Sequence, residues 1–191
     1  MPERPVIGPH GGYRNLEAFR LSEIIYDGTV AFCKRCVDSK SRTKDQMVQA
    51  ARSGKQNIAE ASAVSGTSKK TELKLMGVAR ASLEELLQDY QDFLRQNGHE
   101  LWPKDHEKAL FIRKLAYESD KSYKTYEPYI EDKSPETAAN TLLCLIHQAN
   151  FLLDRLIRRL EKDFAENGGM TERLFAARSK ARSGHDANDG P

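Results

Sequence analysis

The stretch between Ser134-Pro135-Glu136 and Gly168-Gly169 constrains the fold more than any other part of the chain. Serine, proline and an acid in that order start a helix. The hydroxyl caps it, the proline lacks an amide that would be unused there, and the acid suits the positive end of the helix dipole. Leu142, Leu145, Ala149, Leu152, Leu156 and Leu160 then recur at spacings of three and four, which stacks them on one side of a helix. The pair Gly168-Gly169 stops it. A long helix with one apolar stripe must bury that stripe, and the rest of the chain is written to do so.

From Arg14 to Val37, Leu16, Phe19, Leu21, Ile24, Ile25, Phe32 and Cys33 give a helix with a broad apolar face. Thr43 with Gln46 three residues on is a capping-box pattern. The helix that follows, to about Val64, is rich in small residues. Its stripe is Met47, Ala50, Ala51, Gly54, Ile58 and Ala61, so a neighbouring helix can approach closely. Ser68 reads as the cap of a third helix, with Leu73, Met76, Leu83, Leu87, Tyr90 and Leu94 on near-heptad spacing, broken by Arg80. Asn97-Gly98 ends it. Trp102-Pro103 opens a further helical segment, which Pro128 terminates.

These readings give helices at about 14–37, 43–64, 68–97, 104–126 and 135–167. There is no alternating strand pattern and no internal repeat. Short connections between helical segments favour antiparallel neighbours. The expected fold is all-α: an antiparallel up-down four-helix bundle over residues 14–167 with an additional helical segment. Residues 1–13 read as a flexible N-terminus, and 168–191 as a largely disordered tail.

Bulk properties exclude several classes. The net charge of +2 gives no global pull toward nucleic acid, so electrostatics must rest on local patches. The 3 cysteines do not make a disulfide framework. No apolar run reaches the ~18 residues of a membrane helix, and no signal-peptide region follows Met1 to Pro5. The expectation is a cytoplasmic protein with reduced thiols and no membrane partner.

Three stretches together carry a resemblance: Asn15 to Phe19 (NLEAF), Gln46 through Asn57-Ile58-Ala59-Glu60-Ala61, and Lys70 to Leu94 (KTELKLMGVARASLEELLQDYQDFL). The chain resembles the "four helix bundle protein" family, first known from proteins encoded in 23S rRNA intervening sequences. The accessory protein of diversity-generating retroelements shares that fold. The match is to a longer branch with an extra C-terminal region, and residues 102–133 are then an elaboration. The chain departs from the family pattern at Gln49, where arginine is usual, with Arg52 nearby, and at Ala61, where glycine is usual. The resemblance implies ring-like homo-oligomers, often pentamers. Some members of the family have a basic surface, and the retroelement member binds nucleic acid as the partner of a reverse transcriptase, so the resemblance implies a nucleic-acid-processing protein as a partner.

Basic residues gather in three places. Arg42, Lys44, Arg52 and Lys55 lie on the second helix or its entry. Lys69, Lys70 and Lys74 open the third. Arg155, Arg158, Arg159 and Lys162 crowd the last helix, and Arg173, Arg178, Lys180 and Arg182 follow it. Lysines and arginines that neutralise phosphates release counterions, which favours binding; the ordinary alternative is a set of solvated helix faces. The stretch Tyr117 to Tyr129, with Lys121 and Lys124, can stack on unpaired bases or cap a bundle end.

Cys33 and Cys36, and Cys144 and His147, sit one turn apart on two helices, a conceivable zinc set, although cysteine is more often a buried small hydrophobe. A di-iron centre needs Glu-x-x-His, and no histidine here has a glutamate three residues before it. Asn57 and Glu60, with Arg80 opposite, are expected to form a structural polar clamp. No catalytic residue, metal or cofactor is expected. The leading function is a non-enzymatic oligomeric bundle binding structured RNA or DNA through basic helix faces, and the alternative is a protein-interaction scaffold.

Overall fold

The computed structural model describes residues 10–118 and 120–186 and is all-helical, without a strand among the described residues. After a 3-10 turn at Tyr13–Asn15 come α1 (Glu17–Cys36), α2 (Arg42–Val64), α3 (Lys69–Gln96), α4 (Glu107–Leu115), α5 (Tyr123–Ile130), α6 (Pro135–Asn167) and α7 (Met170–Asp186). Among the described residues no helix is long and apolar enough to cross a membrane.

Local chemistry sets the helix ends. The hydroxyl of Ser68 accepts from the Thr71 amide, and that of Ser134 from the Thr137 amide, each satisfying an otherwise orphaned donor. Gly98 and Gly168 take positive φ at the ends of α3 and α6, a conformation glycine adopts without a Cβ penalty. The start of α2 differs from the Thr43–Gln46 box. The helix begins at Arg42, and Ser41 Oγ caps it by accepting from the Thr43 amide at 3.2 Å.

α2 packs against α1 and α3, and α6 packs against α1 and α3 in turn; α5 lies on α6 and α1, and α4 on α6. α3 and α6 run in opposite directions: Lys69 meets Asp163, Arg80 meets Asp154 and Glu84 meets Asn150. The end of α1 lies beside the start of α2, where the Cys33 thiol reaches the Met47 sulfur at 3.9 Å.

The core holds fully buried Phe32, Leu83, Leu86, Tyr90, Leu145 and Ile146, with Phe32 edge-on to Tyr90 at 5.0 Å. The Tyr90 hydroxyl donates to Thr29 Oγ1 at 3.0 Å, so this buried polar group is satisfied. The small-residue stripe of α2 lies inward as expected, with Ala50, Ala51, Gly54 and Ala61 buried. A Cβ on Gly54 would stand 2.8 Å from Leu83 Cδ2, so the α2–α3 approach depends on its absence. Gly77 is the opposite case: it lies within α3 with nothing near its Cβ position. Gly77→Ala is expected to raise stability by about 0.5–1 kcal/mol, read by urea denaturation, because alanine loses less conformational freedom in a helix.

Residues 102–133 depart from the single helix expected at 104–126. α4 and α5 are separate, and long-range contacts hold the segment down. Trp102 is buried and donates its amide to Asn140 Oδ1 at 2.9 Å; Lys121 pairs with Glu17 at 2.5 Å; Arg35 donates to the carbonyls of Ile130 and Lys133. Pro128 sits inside α5 rather than before its end. The amide it lacks would serve the Lys124 carbonyl, and the helix stops two residues later.

Both ends differ as well. Gly11, in the expected flexible N-terminus, donates its amide to the Ser62 carbonyl at 3.0 Å, while residues 1–9 lie outside the described residues. The expected disordered tail is helical through Asp186; residues 187–191 lie outside the described residues. The Gly169 amide donates to Glu172 Oε2 at 2.8 Å, giving the new helix its own N-terminal contact.

Candidate nucleic-acid interface

α6 turns Leu142, Leu145, Ala149, Leu153 and Leu160 inward. Helical geometry therefore sends Phe151, Arg155, Arg158 and Lys162, spaced four, three and four apart, to the opposite side, and all are exposed, as is Arg159. Phe151 is 60% exposed, and the Arg155 guanidinium lies over its ring, 5.8 Å from the centroid. Among the described residues no carboxylate lies within salt-bridge distance of Arg155, Arg158 or Arg159; Lys162 faces Glu166 at 3.8 Å on the surface.

The start of α3 joins this end of the molecule. Lys69 is 3.0 Å from Glu72 and 3.8 Å from Asp163, so it is neutralised, and its contact with Asp163 sets the start of α3 beside the end of α6. Lys70 and Lys74 are exposed next to it, again without a carboxylate partner among the described residues. Of the side chains that follow α6, Arg173 donates to the Gly169 carbonyl at 3.3 Å.

The basic residues of α2 are not part of this surface. Arg42 and Lys44 open α2, beside the end of α1. There Arg35 reaches the carbonyl of Lys133, just before α6 begins, so these residues lie at the other end of the molecule. Arg42 also lines a groove of about 460 Å³ between α2 and α3 with Asp45, Gln46, Gln49 and Glu85, a lining of both signs. Arg52 is exposed midway along α2, and Lys55 sits over the Tyr26 ring at 4.4 Å.

Asn57, Glu60 and Arg80 do not form one clamp. Arg80 pairs with Glu84 at 2.6 Å and Asp154 at 3.1 Å, tying α3 to α6, and Asn150 donates to Glu84 at 3.3 Å. Glu60 is exposed. Asn57 acts at the α2–α3 seam, where it donates to Ser53 Oγ at 3.1 Å and Ser53 and Ser82 share a hydrogen bond of 2.9 Å. Ser82 donates to the Val78 carbonyl, so its single proton is used and Ser53 must be the donor to it. In the sequence, Glu84 one turn after Arg80 was the readable half of the real cluster; Asp154 was not.

All three thiols are free cysteines. Burial pushes the Cys33 thiol up to about 12 and that of Cys144 up to about 11, and it raises Cys36 as well. None is a thiolate near neutral pH. Cys33 touches Met47, and among the described residues no group of three or more His, Cys, Asp or Glu side chains is placed to share a metal, His147 included.

The Tyr117–Tyr129 stretch is mostly folded in: Tyr126 is buried, Tyr129 packs on Phe111 with centroids 5.7 Å apart, and the Tyr123 hydroxyl donates to Glu131. Tyr117 is 90% exposed, and Lys124 is also exposed.

Asp89 was not singled out in the sequence. Its Oδ2 is buried without a hydrogen-bond partner among the described residues, and desolvation, then Glu85 and Asp92, raise its pKa from 3.8 to about 6. Between those values the folded protein holds a proton that the unfolded chain has released, so stability falls as pH rises through that window. Asp89→Asn is expected to melt above wild type at pH 7, with the difference shrinking toward pH 4 in thermal denaturation.

No protein-family model, no curated protein and no solved structure matches the chain.

Proposed function

We propose that this chain is a non-enzymatic, homo-oligomeric four-helix bundle that binds nucleic acid through the outer face of α6 and the start of α3, as an accessory to a protein acting on nucleic acid. In this reading α1, α2, α3 and α6 are the four helices of an antiparallel up-down bundle, and α4 and α5 are an added layer. The cyclic packing of those helices, each against two of the others, supports it.

The observation that carries the binding reading is the exposed row Arg155, Arg158 and Arg159, unneutralised among the described residues and joined at the same end by Lys70 and Lys74. Cations left without carboxylate partners are available to phosphates, and each phosphate contact adds favourable counterion release. Repetition of the row around an oligomer turns a weak site into avidity.

Light scattering coupled to size exclusion, with absorbance at 260 and 280 nm read at low and high salt, tests this. The expected result is an oligomer that carries nucleic acid at low salt and sheds it at high salt. A clean protein peak at both salts favours the second reading, a protein-interaction scaffold. That reading is supported by Leu110, Phe111 and Tyr117, exposed by 46%, 48% and 90% on and just after α4.

A further inference from the structure

From the placement of Phe151 we infer that the α6 face takes single-stranded nucleic acid, with an unpaired base stacked on the Phe151 ring; this rests on the nucleic-acid reading above and names its ligand class. An exposed phenylalanine alone is unremarkable on a protein surface. Phe151 is not alone. It begins the row that continues through Arg155, Arg158 and Lys162, over about 16 Å at the rise of a helix. Its ring is 60% exposed, and the Arg155 guanidinium already lies over it.

An aromatic face at the start of a cationic track matches a strand that offers a base face and a phosphate backbone together. A duplex offers the backbone only, since its base faces are stacked on one another. Stacking on an aromatic side chain is tolerant of sequence, and its loss lowers affinity by roughly 5- to 150-fold per base. Arg155 adds a cation–π contact that keeps the ring and the guanidinium in one recognition unit.

The test uses the full chain, a fluorescently labelled oligouridylate and an RNA duplex of equal length, at one low salt concentration. Phe151→Ala is expected to weaken oligouridylate binding at least about 5-fold while leaving duplex binding unchanged. Phe151→Trp is expected to restore it, with indole fluorescence quenched by the oligonucleotide and not by the duplex; the native Trp102 is buried and supplies a constant background.

Because Phe151 points to solvent, neither variant disturbs the core. Equal loss for both ligands, or no loss for oligouridylate, overturns the stacking proposal. So does competition by polyglutamate as effective as by oligouridylate, which would make the face a site for acidic peptides. If wild type binds neither RNA at low salt, the parent reading fails as well. If both RNAs bind and respond to reversal of Arg158 and Arg159 but not to Phe151, only the stacking proposal fails.

Discussion

Arg158→Glu combined with Arg159→Glu is expected to lower nucleic-acid affinity by about 60-fold at 0.1 M salt. Each phosphate contact on a duplex contributes a slope of about 0.9 in log affinity against log salt, so two lost contacts remove about 1.8 log units at that concentration. Reversal rather than deletion adds repulsion on top. Both side chains are exposed, and among the described residues neither has a carboxylate partner, so the melting temperature is expected to stay at the wild-type value. Arg42→Glu combined with Lys44→Glu is the control matched in charge. It changes net charge equally but lies at the far end of the molecule, with Arg42 among Asp45 and Glu85, and its effect is expected to be no more than a few-fold. Filter binding of the three proteins separates a local surface from a general charge effect.

Gly54→Val is expected to destabilise the fold by about 3 kcal/mol, at the upper part of the range for overpacked cores. Even a bare Cβ at this position would stand 2.8 Å from Leu83 Cδ2 and 2.9 Å from Leu83 Cγ. Leu83 is fully buried, so any retreat must displace other core side chains packed close to crystal density. Valine adds two methyl groups beyond the Cβ. For a chain of this size the loss corresponds to a fall in Tm of roughly 6–12 °C, with the urea midpoint lowered and the m-value unchanged. Wild-type stability would mean that α2 and α3 are not held at this separation. The contrast with Gly77→Ala is the informative part: two helical glycines, one required by its neighbour and one not.

What could be read from the sequence was what is decided within a few residues. The caps at Ser68 and Ser134, the stops at Gly98 and Gly168, and the inward stripe of α2 depend on neighbours one turn away. Residues 102–133 are not legible from local sequence because their anchors are remote. Asn140, which holds Trp102, is 38 residues away, and Arg35 reaches a carbonyl 98 residues on.

The same distinction governs the site. The row on α6 is local to one helix, and its exposure follows from the leucines opposite. Whether Arg42 shares that face depends on how helices pack, and the two lie at opposite ends. Arg80 marked a break in an apolar stripe, but its partner Asp154 lies 74 residues later. α7 is not legible in the sequence because its apolar residues make no clear stripe, and Phe175 is 73% exposed.

The most direct test of the account is the salt dependence of RNA binding by the wild-type chain and the Arg158→Glu, Arg159→Glu protein, measured by fluorescence anisotropy on one labelled RNA hairpin between 50 and 200 mM salt. Contacts from Arg155, Arg158, Arg159, Lys70 and Lys74 predict a log–log slope of about −4.5 for wild type and one shallower by about 1.8 for the double variant. No binding at the lowest salt, or the same slope and affinity for both proteins, would contradict an interface on the outer face of α6.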